Sequence, residues 1–256
     1  MKVEADTQAN IQADIQSSAQ TYHEVRAMQP LVAMRAMKRL LKDPQATEQV
    51  FVIIRALSGD AIERGYRRFL LTSKAEQILR SPTSLLSVLS NREALTQMPE
   101  GSLGRAYLGF MEAGNITAEG LKDASEAHEP GALPGDSEIE TYALRLRDQH
   151  DLWHVVTGFG RDVAGEACLL AFTYAQTKNR GVGFIAFMGA LKLRKVFGSR
   201  FISSMWQAYQ MGRRTQWMPG QHWEVLLSQP LVQVRAELGV SEPDRYQRLP
   251  LELVMG

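Results

Sequence analysis

One cysteine, Cys168, stands in a chain of 256 residues, so no internal disulfide can form and packing alone must hold the fold, as suits a reducing compartment. Its apolar neighbours Ala167 and Leu169 mark it as a packed residue and not a nucleophile. Long hydrophobic runs are missing too. The best of them, residues 182–191, stops at Lys192 after about half the ~20 residues that cross a bilayer. Strand-like alternation is scarce throughout, which argues against a sheet-based fold. A net charge of +1 gives no whole-chain case for nucleic acid. No repeat period is visible, and Gly181-x-Gly183 lacks the preceding strand that a dinucleotide turn requires. Residues 1–20 have neither the apolar stretch of a secretory signal nor the arginine-rich, acid-poor character of a mitochondrial presequence. We expect a loose tail over residues 1–25.

What the chain does have is helical periodicity. Leu31, Met34, Met37, Leu40 and Leu41 recur at i+3 and i+4 until Asp43-Pro44 ends the run. Residues 50–57 follow as a buried helix closed by Ser58-Gly59, and residues 66–79 and 84–95 read as two more. Residues 112–137 hold four glycines and two prolines and read as a long connection, either a variable loop or a lid. Ser137-x-x-Glu140 is a capping box that starts the next helix. Trp217-Met218-Pro219-Gly220 reads as a turn, and Pro230 opens a final helix that Gly239 stops. The expectation is an all-α, single multi-helix domain over residues 26–240, followed by a tail at 241–256.

The chemistry concentrates in residues 141–166. His150 and His154 are four apart, so on a helix they lie about 40° from each other and both imidazoles can reach one ion. Asp151 sits within about 100° of His150 on the same turn. Gly158 and Gly160 then break the helix, and Glu166 falls in the next periodic segment, where a glycine corner can fold it back onto the histidines. Such an HDxxH-x11-E set of nitrogen and carboxylate ligands suits a divalent metal, zinc first and iron or another redox metal second. A histidine pair at this spacing also occurs as ordinary core or surface residues. His-Asp in place of His-Glu argues against the zinc-protease helix motif. Arg145 and Arg147 precede the motif and diverge by about 200°, so only one of them can face the ion. Arg147, three residues before His150, is the better placed.

These residues resemble the signature of the coenzyme Q (ubiquinone) biosynthesis protein 4 family: H-D-x-x-H-x11-E, preceded by Arg145 and Arg147 and continued by TGFGRDVAGE. MPEGSLGRAYLGFM (98–111) is similar to that family's LP-x-(S/T)-LG-x-AY block, and HWEVLLSQPLVQVRAELGV (222–240) to its C-terminal WE-x-x-L…VR-x-x-L-G block. The likeness spans roughly residues 30–240, with Leu146 standing where an aromatic is common. It implies a role in ubiquinone assembly: metal-dependent, in some readings oxidative, decarboxylation at ring carbon C1 of a polyprenylated 4-hydroxy-3-methoxybenzoate. His150, Asp151, His154 and Glu166 would be ligands and catalytic groups, with Arg147 and Arg145 as substrate contacts. A non-catalytic prenyl-lipid scaffold that organises the biosynthetic complex is the alternative. A soluble metal-dependent hydrolase acting on small esters or phosphates is a third reading. With the presequence missing, the resemblance points to a bacterial, cytoplasmic protein held peripherally on the membrane. Other ubiquinone-biosynthesis proteins and further copies of the chain would be its partners.

A second stretch supports lipid contact. From residue 167 to 223 there is no Asp or Glu, while Lys178, Arg180, Lys192, Arg194, Lys195, Arg200, Arg213 and Arg214 supply eight positive charges among Phe184, Phe187, Phe197, Phe201, Trp206 and other apolar residues. Such a pattern fits either an anionic membrane surface or a core helix with a solvated basic rim. The helices around residues 184–191 and 201–206 are candidate walls of a groove for a prenyl tail, although core packing explains their side chains equally well.

Overall fold

The structure, a computed structural model, describes residues 27–43, 46, 48–118, 120 and 137–247. The expected tail at 1–25, most of the 112–137 connection and the end of the C-terminal tail lie outside these residues. Thirteen α-helices and no named strand occur among them, as the missing alternation requires. In chain order they are α1 (Pro30–Lys42), α2 (Glu48–Ser58), α3 (Ala61–Leu70), α4 (Ala75–Leu79), α5 (Leu85–Ser90), α6 (Arg92–Gln97), α7 (Leu103–Gly114), α8 (Glu138–Asp148), α9 (His150–Thr157), α10 (Val163–Thr177), α11 (Arg180–Arg214), α12 (Trp223–Leu226) and α13 (Leu231–Leu238).

Among the described residues, side-chain caps fix six of the thirteen helix starts. Ser84, Asn91, Ser102, Ser137, Asp162 and Asn179 each accept from backbone N–H groups of the first turn that follows, satisfying donors the helix cannot. At Ser137 both halves of the capping box form. Asn91 also explains why residues 84–95 are two helices: it ends α5 and its side chain caps α6. The 217–220 turn tightens into a 3₁₀ helix, Met218–Gly220.

Two helix breaks matter for the site. The helix begun at Ser137 does not run on through the histidines but breaks at Gln149, whose ψ is 0. Gln149 is fully buried, and its amide oxygen accepts from the indoles of Trp153 (3.3 Å) and Trp223 (2.5 Å). That pull on one side chain fixes where α8 stops and α9 begins. The acid-free stretch is likewise a bent rod: α11 is interrupted at Gly198, which takes φ 72°.

Three cores result. The largest gathers α7, α9, α10, the second half of α11, α12 and α13 around Trp153, Phe159, Phe172 and Trp223. A second joins α1 and α2 to the first half of α11 through Met37, Ile53 and Ile185. A third packs α3 and α4 on α8 through Tyr66, Phe69 and Tyr142. The α11–α2 crossing is close enough that a Cβ at Gly181 would lie 2.5 Å from Ile54 Cα. Residues 241–247 lie on the body: the Tyr246 hydroxyl donates to the Asp162 carboxylate and accepts from Gly160 N at 2.9 Å, while Arg235 donates to the carbonyls of Val155 and Val156 and pairs with Glu242.

Candidate metal centre

His150 opens α9, and His154 sits one turn on, so the helical period places both rings on one side; their centroids are 4.9 Å apart in an edge-on arrangement. Asp151 Oδ1 lies 3.3 Å from His150 Nδ1. Donor atoms of His150, Asp151 and His154 all fall within 4.8 Å of one another, a group that could hold a metal ion. The helix then ends on Gly158 in the left-handed region (φ 79°), the conformation glycine adopts without strain. Asp162 caps α10, and Glu166 occupies its first turn. The corner is tight. A Cβ at Gly165 would stand 2.0 Å from Gly160 O, so α10 reaches this close to α9 only because residue 165 has no side chain.

Across this corner Glu166 Oε2 comes to 3.4 Å from His154 Nε2. The other ring nitrogen, Nδ1, lies 3.0 Å from Phe159 O and donates to it, which turns Nε2 toward the cluster. The His154 side chain is completely buried, stacked on Phe110, and its Nε2 has no hydrogen-bond partner because the Glu166 contact is too poorly aligned to count as one. A buried, unpaired imidazole nitrogen costs free energy unless something binds it. A cation at Nε2 satisfies that atom and uses the neighbouring carboxylates, so the donor set fits a divalent metal.

The electrostatics agree. Burial weighs most on His150 and favours its neutral form, but the hydrogen bond to Asp151 and the carboxylates of Glu166 and Asp151 outweigh it and set its pKa above the ordinary imidazole value. For Asp151 burial again weighs most, upward, yet the two histidines hold it below the usual carboxylate range. Glu166 follows the same pattern, with His154 the main opposing partner. Both acids are therefore ionised at neutral pH. Cys168 is not among the grouped donors, and burial pushes its thiol up to about 12.

A cavity of about 1000 Å³ is lined by residues of α1, α2, α3, α8, α9, α10 and α11; it includes His150 of the cluster with Arg147 and Trp153, and Val32, Val50, Ile54, Leu146, Leu169 and Leu170 are among its apolar walls. It is not where the sequence placed a groove. Ile185, Phe201 and Met205 are core residues, and Phe187 and Trp206 face outward. Of the two arginines, Arg147 lines the cavity and pairs with Asp148 at 2.8 Å. Arg145 does not reach the cluster. It is buried in a two-pronged pair with Glu224 (2.5 and 2.7 Å) and donates to Gln221 O, so its guanidinium is engaged by the protein itself.

Some contributors escaped the sequence reading. Arg161, in the corner itself, acts on His150, Asp151 and Glu166 through space, and its position between Gly160 and Glu166 was a signal available in TGFGRD. Phe110 and Tyr246 come from distant segments and carried no such signal.

Comparison with known proteins bears on these observations. Residues 23–244 match the family described as coenzyme Q (ubiquinone) biosynthesis protein Coq4. The chain is 32% identical over 175 residues to the mitochondrial ubiquinone biosynthesis protein COQ4 homolog of Rattus norvegicus, covering 66% of this chain and 62% of that one. It is 28% identical over 172 residues to the Homo sapiens homolog (66% and 62%) and 24% identical over 205 residues to that of Anopheles gambiae (78% and 69%). The chain thus spans about 62% of the length of the mammalian relatives. A crystal structure from Nostoc punctiforme, of a protein named for ubiquinone biosynthesis, superimposes with a TM-score of 0.61 at 21% identity, covering 84% of this chain and all of the other, and shows a shared fold.

Proposed function

We propose, on the premise that this chain belongs to the coenzyme Q (ubiquinone) biosynthesis protein Coq4 family, that it acts in ubiquinone biosynthesis by removing the ring carboxylate of a polyprenylated 4-hydroxy-3-methoxybenzoate. His150, Asp151, His154 and Glu166 would hold a divalent ion, zinc or, where the step is oxidative, iron. Bound there, the ion supplies Lewis-acid stabilisation of charge on a substrate oxygen. Nδ1 of His154 stays protonated on Phe159 O, which keeps Nε2 aimed at the cluster. Arg147, on the cavity wall, orients the carboxylate that leaves as carbon dioxide; the electron pair left on the ring carbon takes a proton from solvent, or in the oxidative case is passed to dioxygen as the oxidant. The apolar walls exclude water and receive the prenyl tail. We place the protein peripherally on the cytoplasmic face of a bacterial membrane, with other ubiquinone-biosynthesis proteins and further copies of itself as partners. Among the described residues no helix is long and apolar enough to cross a membrane.

The observation that carries this reading is the unpaired, buried Nε2 of His154, whose neighbour His150 lines a cavity with many apolar walls. Its test is to supply the prenylated benzoate labelled in the carboxyl carbon and to collect carbon dioxide. Release by the wild-type protein and not by Glu166→Gln supports turnover. The complete enclosure of His154 also favours a second reading, a structural ion in a lipid-binding scaffold. In that case Glu166→Gln would lower stability and partner assembly, and no labelled carbon dioxide would appear.

A further inference from the structure

We infer that α1 is the surface by which this protein lies on an anionic lipid bilayer, and that the cavity opens to the lipid at that helix. The inference deepens the lipid-substrate reading above and rests on it for the use of the cavity, though not for the docking itself. The exposed basic stretch noticed in the sequence was α11; α1 was read only as a packed helix.

One face of α1 is packed and the other is not. Ala33, Ala36 and Met37 are buried against α2 and α11. Leu31, Met34, Arg35, Lys38 and Lys42 fall within about 100° on the opposite side, and all are exposed, Leu31 at 73% and Met34 at 48%. The helix contains no acidic residue and four basic ones; the nearest acid, Asp43, follows its last turn. An apolar ridge flanked by lysine and arginine is costly to leave in water, and it matches a surface that offers acyl chains beneath negative headgroups. An acidic protein partner would not account for the bare leucine and methionine at the centre of the face.

A neighbouring element extends the pattern. Lys192 of α11 donates to Leu41 O at 3.0 Å, which ties the middle of α11 to the end of α1. Around it Phe187 (60% exposed), Leu191, Arg194 and Lys195 again share about 100° of helix with no acid among them. Beside α1, the cavity reaches the surface: Ala27, Gln29 and Val32 are exposed and also form part of its lining. A tail anchored in the bilayer would enter there without crossing water, and its ring end would travel inward to Arg147 and His150.

The test uses the full chain and sedimentation with vesicles of phosphatidylcholine alone or with 30 mole per cent phosphatidylglycerol, on the order of the charge density for which each Lys or Arg contributes about fivefold in affinity. Wild-type protein should bind the anionic vesicles, and more weakly as salt rises. The triple variant Arg35→Glu, Lys38→Glu, Lys42→Glu should lose at least tenfold, as should Leu31→Asp with Met34→Asp. The matched charge reversal Arg213→Glu with Arg214→Glu should stay within about twofold of wild type. Circular dichroism and thermal unfolding check that each variant is folded. Equal loss in the Arg213/Arg214 control, or no loss in the α1 variants, overturns the proposal. So does a fall in self-association of the Leu31/Met34 variant with vesicle binding unchanged, because a second copy would then be what covers the face. A short-tailed, water-soluble benzoate separates the two readings. Its turnover by α1 variants that fail to dock leaves the site reading intact, and its inertness with wild type sinks that reading while the vesicle result stands.

Discussion

Nε2 of His154 and Oε2 of Glu166 face each other at 3.4 Å across a glycine corner, one from the last turn of a helix and the other from the first turn of the next. The two side chains are close enough to share a cation and too poorly aligned to satisfy each other. Four expectations follow from this arrangement and its supports.

Replacing both His150 and His154 with Ala should abolish metal binding, while the protein remains helical because only one of the two rings is fully enclosed. Elemental analysis after dialysis against a chelator reads the result. One retained equivalent of metal would remove these ligands from consideration.

Gly165→Ala should be more damaging than either. Its Cβ would meet Gly160 O at 2.0 Å, so α10 must shift away from α9, at a cost of roughly 2–4 kcal/mol as for other overpacked sites. Denaturant unfolding measures the loss. An unchanged midpoint would mean that the corner is softer than its geometry implies.

Gln149→Leu leaves the buried indole N–H groups of Trp153 and Trp223 without an acceptor and frees the start of α9. About 1–3 kcal/mol of stability should go for each stranded donor. Metal affinity should fall by roughly tenfold or more, as when a ligand loses its support. Gln149→Glu keeps the acceptor oxygens and should recover much of that affinity in a competition titration.

The Arg145–Glu224 pair sets an acid limb. Burial weighs most on Glu224 and would raise its pKa, but the Arg145 guanidinium holds it below its unfolded value. A folded pKa below the unfolded one means stability that is present above pH ~4.3 and lost as pH falls through the folded value. The gap in unfolding free energy between wild type and Glu224→Gln should therefore be wide at pH 7 and narrow as pH falls toward 3. Arg145→Ala, which strands the carboxylate, should cost about 3–5 kcal/mol at neutral pH.

Much of this was legible in the residues themselves. Periodicity and capping chemistry are local, so the helical class, the Ser137 capping box and the stop at Gly239 could be read directly. The spacing of His150, Asp151 and His154 likewise encodes a shared helical face. What could not be read depended on partners far along the chain. Arg145 is claimed by Glu224, and Gln149 bends the chain because two tryptophans from different helices compete for its oxygen. The cavity draws its lining from seven helices, and no single segment announces it. The same apolar residues of α11 that suggested a groove are mostly spent on core packing.

The hydroxyl that bridges Gly160 and Asp162 belongs to Tyr246, so the bend separating the candidate ligands receives its last brace only once residue 246 has emerged from the ribosome. If the cluster holds an ion, its grip would depend on a residue more than eighty positions downstream of the bend. Chains stalled before that tyrosine should capture the ion more weakly than the released protein.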